Sequence, residues 1–147
     1  MAASASTLVV KDPELMYQLN PRKWEELIAG AYELAGFDEV ILTPRSGDKG
    51  RDVIAVKKGI GCIRFLEEVK AYKPDHLVTA EEVRALLGVV SADQNATKGI
   101  FTTTSDFAPR IREEKAIKDH MPFRIELVNG VELLKRLGAL VESPSGV

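Results

Sequence analysis

At 147 residues, 45% hydrophobic and 29% charged, the chain has the makeup of one folded domain around one core, which excludes a disordered polyelectrolyte. A formal net charge of −2 excludes a surface coated with positive charge, so contact with a polyanion must use local basic residues or a bridging metal ion. No apolar run reaches the roughly 20 residues that span a bilayer, and Met1 to Thr7 has neither the basic nor the apolar region of a secretory leader; the expectation is no membrane contact and a cytoplasmic location.

That opening stretch reads as a frayed tail. Asp12-Pro13-Glu14 opens a short helix, with Asp12 as cap and Pro13 at its first position. Asn20-Pro21 repeats the signal. Trp24, Leu27, Ile28, Ala31, Leu34 and Ala35 then recur at the spacing of an amphipathic helix that Gly36 ends. Val40 to Thr43 is a short strand and Pro44 to Gly50 a loop. Asp52 to Val56 is a second strand, Lys57 to Gly61 a hairpin connection and Cys62 to Ala71 a long third strand. Thr79 and Glu82 form a capping box ahead of the helical stripe Val83, Leu86, Leu87 and Val90. Gly99 to Thr103 is a buried strand, Pro109 starts a helix running to about Lys118, and Phe123 to Val128 is the last strand. After Asn129-Gly130, Val131, Leu133, Leu134 and Leu137 make a final helix, and Gly138 to Val147 reads as a tail. The divisions are therefore 1–19, a tail and short helix; 20–137, the domain; and 138–147, a tail. This order predicts an α/β fold with a mixed sheet: an antiparallel hairpin part, then crossovers that favour parallel pairing.

Residues two apart on a strand face the same side, so Glu68 and Lys70 project together and Val69 projects away. A carboxylate is a hard ligand for Mg²⁺, and a neighbouring ammonium can stabilise a hydroxide or a developing phosphorane charge. Alone, Glu-x-Lys is better explained by a cross-strand or solvated ion pair. Pairing of the second and third strands would bring Asp52 opposite residues 66 to 68 and set two acids beside one lysine. Such acids repel, and a divalent cation relieves them. The plainer alternative is that Asp52 only caps its loop. Glu25 could orient a water or hold a second ion, although adjacent Glu25 and Glu26 also fit a solvated helix face; Trp24 reads as core.

Ser46, Lys49 and Arg51, in a loop that lacks the Walker ending, are candidate phosphate contacts, as are Lys57, Lys58, Lys73, Lys98, Arg110 and Arg112. Asp48 reads as an Asx turn. Hydroxyls of the Thr102-Thr103-Thr104-Ser105 run, Thr103 among them, could meet a phosphate or cap the next helix, capping being favoured. Cys62, the lone cysteine, reads as a small buried hydrophobe, and His76 and His120 are too scattered for a zinc site or a nucleophilic set.

Trp24-Glu25, the run Ser46-Gly47-Asp48-Lys49-Gly50-Arg51-Asp52, Glu68-Val69-Lys70, Val83 to Gly88, Gly99 to Phe107 and Ile125 to Leu133 occur in one order and spacing. Together they resemble the catalytic domain of the Mrr-type restriction endonucleases, in the PD-(D/E)XK nuclease superfamily, over about Asn20 to Leu137. The resemblance implies a restriction-endonuclease-like mixed sheet with an α-β-β-β-α-β core. It implies cleavage of DNA phosphodiesters with Mg²⁺, for which Mn²⁺ can substitute. Asp52 and Glu68 would be the metal ligands, Lys70 would activate or orient the attacking water, and Glu25 would complete the site. Lys49 in place of a glycine and Arg51 in place of an apolar residue depart from the family pattern. The chain has no room for a recognition domain, which points to a separate DNA-recognition subunit; a homodimer would suit a double-strand cut. Glu67 beside Glu68 leaves open which acid faces the site. Restriction of foreign DNA or repair are the expected roles. A non-catalytic DNA-binding or assembly module and a nuclease resolving branched (Holliday-junction) DNA are the alternatives.

Overall fold

The computed structural model describes residues 5–44 and 51–142. Among these residues five helices, α1 (Ala5–Lys11), α2 (Pro21–Leu34), α3 (Ala80–Ala92), α4 (Lys115–Lys118) and α5 (Gly130–Glu142), surround five strands, β1 (Glu39–Leu42), β2 (Val53–Gly59), β3 (Gly61–Lys70), β4 (Lys98–Thr103) and β5 (Ile125–Val128). The strands lie in the sheet in chain order. β1, β2 and β3 pair antiparallel, and β4 and β5 add in parallel through helical crossovers. This is the expected mixed α/β architecture.

Alternation along the strands divides the core between two faces. Ile54, Leu66, Phe101, Ile125 and Leu127 meet Val83, Leu86 and Val90 of α3. Their neighbours Val53, Val69, Ile100 and Val128 meet Trp24 and Ile28 of α2 and Leu133 and Leu137 of α5. The Trp24 indole is fully buried, and its Nε1 donates to the Met16 carbonyl at 2.9 Å. Local chemistry sets the helix ends: the Asn20 side chain accepts from the Lys23 amide, Gly36 takes the left-handed φ of +89°, and Thr79 and Glu82 complete both halves of their capping box.

Both expected tails are corrected. Residues from Ala5 onward are helical, with Val9 only 1% exposed, and α5 continues through Gly138 to Glu142. The two changes have one cause: α1 packs on α5, and Val10 Cγ1 lies 3.8 Å from where a Cβ on Gly138 would stand. Residues 13–17 form a 3₁₀ turn that Asp12 does not cap through its side chain. The β2–β3 hairpin is tighter than expected, with Gly59 facing Gly61 and Ile60 alone at the tip. Cys62 lies just beyond that tip and is exposed, against the expectation of burial. The helix expected from Pro109 to Lys118 is instead a 3₁₀ turn (Ile111–Glu113) and the single-turn α4, broken by the extended backbone of Glu114. Phe123 is exposed, and β5 begins at Ile125. Among the described residues no helix is long and apolar enough to cross a membrane.

Candidate active site

The candidate acids gather where β2 begins and β3 ends. Val53 faces Glu67, and the next step of that register sets Asp52 across from Glu68. The Asp52 amide donates to the Glu67 carbonyl at 2.8 Å, and its Oδ2 accepts the Val69 amide at 2.7 Å. The carboxylate thus stands in for a backbone acceptor where β2 has not yet begun, and its direction is fixed by β3.

Strand alternation answers which glutamate faces the site. Leu66 lies on the α3 face and Val69 on the α2–α5 face, so Glu68 and Lys70 share the α3 side. Lys70 Nζ lies 3.4 Å from Glu68 Oε1. Glu67 turns the other way and is 3% exposed, its carboxylate accepting the hydroxyls of Tyr32 and Thr102. Burial raises the Glu67 carboxyl from 4.5 to about 7, and the two hydroxyl bonds only partly offset it.

Burial also raises the Asp52 carboxyl above its ordinary value. The Val69 amide opposes that rise, Glu25 adds to it, and Lys70 and Arg22 oppose it. Asp52, Glu25, Lys70 and Arg22 therefore share one electrostatic neighbourhood, although Glu25 comes from the first turns of α2. Glu25 Oε1 accepts Arg22 Nη1 at 3.0 Å. Among the described residues no three or more His, Cys, Asp or Glu side chains form a cage that could hold a metal ion. The donor set still fits Mg²⁺, which is commonly held by one or two carboxylates and completes its shell with water and phosphate oxygens. A buried acid whose charged form is disfavoured gains most from such a cation.

Three neighbours carried no sequence signal for this site. Tyr72, two residues past Lys70, donates to Glu82 Oε2 at 2.6 Å and stacks on His76 with ring centroids 3.7 Å apart. Burial raises Glu82, but the Tyr72 hydroxyl, the Thr79 amide and hydroxyl and the charge of Lys70 together hold it below its ordinary value. Arg22 bridges Glu25 and the Thr43 carbonyl, a residue 21 positions away.

Of the candidate DNA contacts, Ser46 and Lys49 lie outside the described residues, as does Asp48. Lys73 is exposed on the turn after β3. Arg51 is half-buried and adds to the field on Asp93 at the end of α3, where burial is outweighed by the Asn95 amide and by Arg64. Thr103 is corrected: it is fully buried, and its hydroxyl donates to the Lys70 carbonyl at 2.8 Å, so it is not offered to a phosphate. The rest of its run behaves likewise. Thr104 donates to the Tyr72 carbonyl and Ser105 to the His76 carbonyl, so these hydroxyls lace β4 to the chain beyond β3 and cap no helix.

A restriction endonuclease family model, Mrr_cat, matches residues 16–137. The DNA modification-dependent restriction endonuclease AspBHI superposes with a TM-score of 0.63 at 20% identity, over 97% of this chain and 40% of that one. The restriction endonuclease MspJI, in complex with a 27-mer oligonucleotide, gives 0.61 at 17% identity, over 97% of this chain and 37% of that one. The uncharacterized protein y4cE of Sinorhizobium fredii (strain NBRC 101917 / NGR234) is 28% identical over 115 residues, which are 78% of this chain and 29% of that protein. The chain thus spans well under half the length of these relatives. At such identities the structural likeness shows the fold, which is that of the restriction endonucleases. The family match covers most of the sequence, and on it the chain belongs to the Mrr catalytic-domain family of restriction endonucleases.

Proposed function

We propose that this chain is a divalent-metal-dependent endonuclease domain that hydrolyses DNA phosphodiester bonds through a PD-(D/E)XK-type site. The observation that carries the reading is that Lys70 serves both acids: it pairs with Glu68 at 3.4 Å and acts on the charge of Asp52. Asp52 and Glu68 would hold Mg²⁺, or Mn²⁺ in its place. Bound there, the ion supplies Lewis acidity toward the scissile phosphate and its attacking water. Lys70 holds that water or a phosphoryl oxygen through its ammonium protons and offsets the charge that develops. The Val69 amide keeps Asp52 aimed, and Glu25 orients water from the helix side. DNA is the partner, approached by Lys73 and Arg51. The remaining length of the relatives leaves room for recognition to come from other segments or a separate subunit, and a homodimer would deliver a two-strand cut. Restriction of foreign DNA in the cytoplasm, or repair, is the role such a domain would fill.

Nicking of supercoiled plasmid in Mg²⁺ tests this. The Asp52→Ala and Lys70→Ala variants should lose at least about 100-fold in rate; equal nicking by all three proteins removes the proposal. Linear, supercoiled and four-way substrates, run in parallel, separate a general endonuclease from a junction-resolving one. DNA retention with no metal effect would favour a non-catalytic module.

A further inference from the structure

Arg22 sits in the first turn of α2, where a cation opposes the helix dipole. No acid accompanies it in that turn. Its guanidinium is directed away from the helix terminus into a specific pair of contacts. Nη1 donates to Glu25 Oε1 at 3.0 Å and to the Thr43 carbonyl at 2.7 Å. Arg22 is 24% and Glu25 15% exposed, so both bonds are largely shielded from water.

Thr43 extends the connection. Its Oγ1 donates to the Arg51 carbonyl at 2.6 Å and lies 3.2 Å from the Asp52 carbonyl, and its amide donates to that same carbonyl at 3.1 Å. Thr43 is itself buried. One guanidinium therefore joins the Glu25 carboxylate on α2 to the end of β1, and the end of β1 grips the backbone that presents Asp52. The Asp52 side chain is held from the other side by the Val69 amide. Without Arg22, Glu25 loses this tie to the end of β1.

We infer that Arg22 is a positioning residue, which fixes Glu25 and the Asp52-bearing backbone relative to one another through Thr43. The inference rests on the endonuclease reading for its catalytic consequence, but the physical tie can be measured without it. Arg22→Met keeps the length of the side chain and removes its donors and charge. With supercoiled plasmid and Mg²⁺, turnover of Arg22→Met should fall about 10- to 100-fold, the scale of a small misplacement, while KM for DNA stays within about twofold. Arg22→Lys should recover part of the loss. Arg22→Met in an Glu25→Gln background should cost little beyond Glu25→Gln alone, since the two residues act as one unit.

Thr43→Val, which deletes both hydroxyl bonds at nearly constant shape, should reproduce the turnover loss and guards against a fold defect in Arg22→Met. In native-state hydrogen exchange, the Thr43 and Asp52 amides of Arg22→Met should lose protection while the amides of α3 keep theirs. A raised KM with unchanged turnover would make Arg22 a phosphate contact and overturn the inference, as would losses that multiply in the double variant. If the wild type cuts no DNA, the endonuclease reading fails by itself, and the exchange experiment still decides the tie: unchanged protection at Thr43 and Asp52 overturns it.

Discussion

Asp52 Oδ2 and the backbone nitrogen of Val69 stand 2.7 Å apart, so the side chain of one strand completes the hydrogen bonding of the next. An asparagine can keep that bond through its amide oxygen while losing the charge. Burial raises the Asp52 carboxyl, so in metal-free protein its contribution to stability is present at low pH and is lost as pH rises through the folded-state value. Asp52→Asn should therefore melt no lower than wild type at pH 8 in chelator, yet lose DNA cleavage at least about 100-fold. Added Mg²⁺ should raise the melting temperature of wild type and leave that of Asp52→Asn unmoved. An equal rise in both proteins would remove Asp52 from the metal site.

Glu67 gives the fold its own pH dependence. Its carboxyl is raised from 4.5 to about 7, chiefly by burial, so between those values the folded protein binds more protons than the unfolded chain. Stability should fall as pH rises from about 4.5 to 7 and then level off, a change on the order of 3 kcal/mol for a shift of this size. Glu67→Gln should flatten that slope in urea titrations at a series of pH values. A slope unchanged by the substitution would show that other groups carry it.

Two glycines should respond to alanine in opposite directions. A Cβ on Gly130 would stand 2.2 Å from the Thr104 carbonyl oxygen, a backbone atom that cannot swing aside. Gly130→Ala should cost about 1–3 kcal/mol as α5 is pushed off β4. Gly88, in the middle of α3, has nothing within 4 Å of the same added atom. Gly88→Ala should stabilise by about 0.5–1 kcal/mol, because the helix keeps its geometry and the unfolded chain loses freedom. Urea midpoints moving the same way for both would contradict this local geometry.

The Cys62 thiol should be open to reagent in the native state. It is exposed beside the hairpin tip, so a disulfide-exchange dye should label it in native protein about as fast as in urea-unfolded chain. Cys62→Ser should change stability by less than about 0.5 kcal/mol, as is usual at a surface position. Slow labelling that required unfolding would mean the hairpin tip is covered.

What the sequence made legible was the chemistry that closes over a few residues. Asn20 before Pro21, and Thr79 three residues ahead of Glu82, form their caps within one turn, and the alternation of Val53, Ile54, Leu66 and Val69 records which face each strand buries. The placing of Asp52 across from Glu68 was legible because a short hairpin fixes the register of β2 and β3. Contacts between distant segments left no such trace. Nothing near Val10 announces Gly138, so both ends read as tails. Nothing near Arg22 announces Thr43, so their tie left no mark in the sequence. Thr103 was misread for the same reason, because its partner is a carbonyl 33 residues back.

The opposite orientations of Glu67 and Glu68 make β3 a proofreading element for its own assembly. A chain that docks this strand one position out of step would thrust the wrong acid into the apolar layer under α2 and leave Tyr32 and Thr102 without their acceptor. The misaligned form is disfavoured on the face remote from Asp52, Glu68 and Lys70. Strand alignment thus sets where the pair points: only a correctly threaded domain turns Glu68 and Lys70 to the α3 side, across from Asp52.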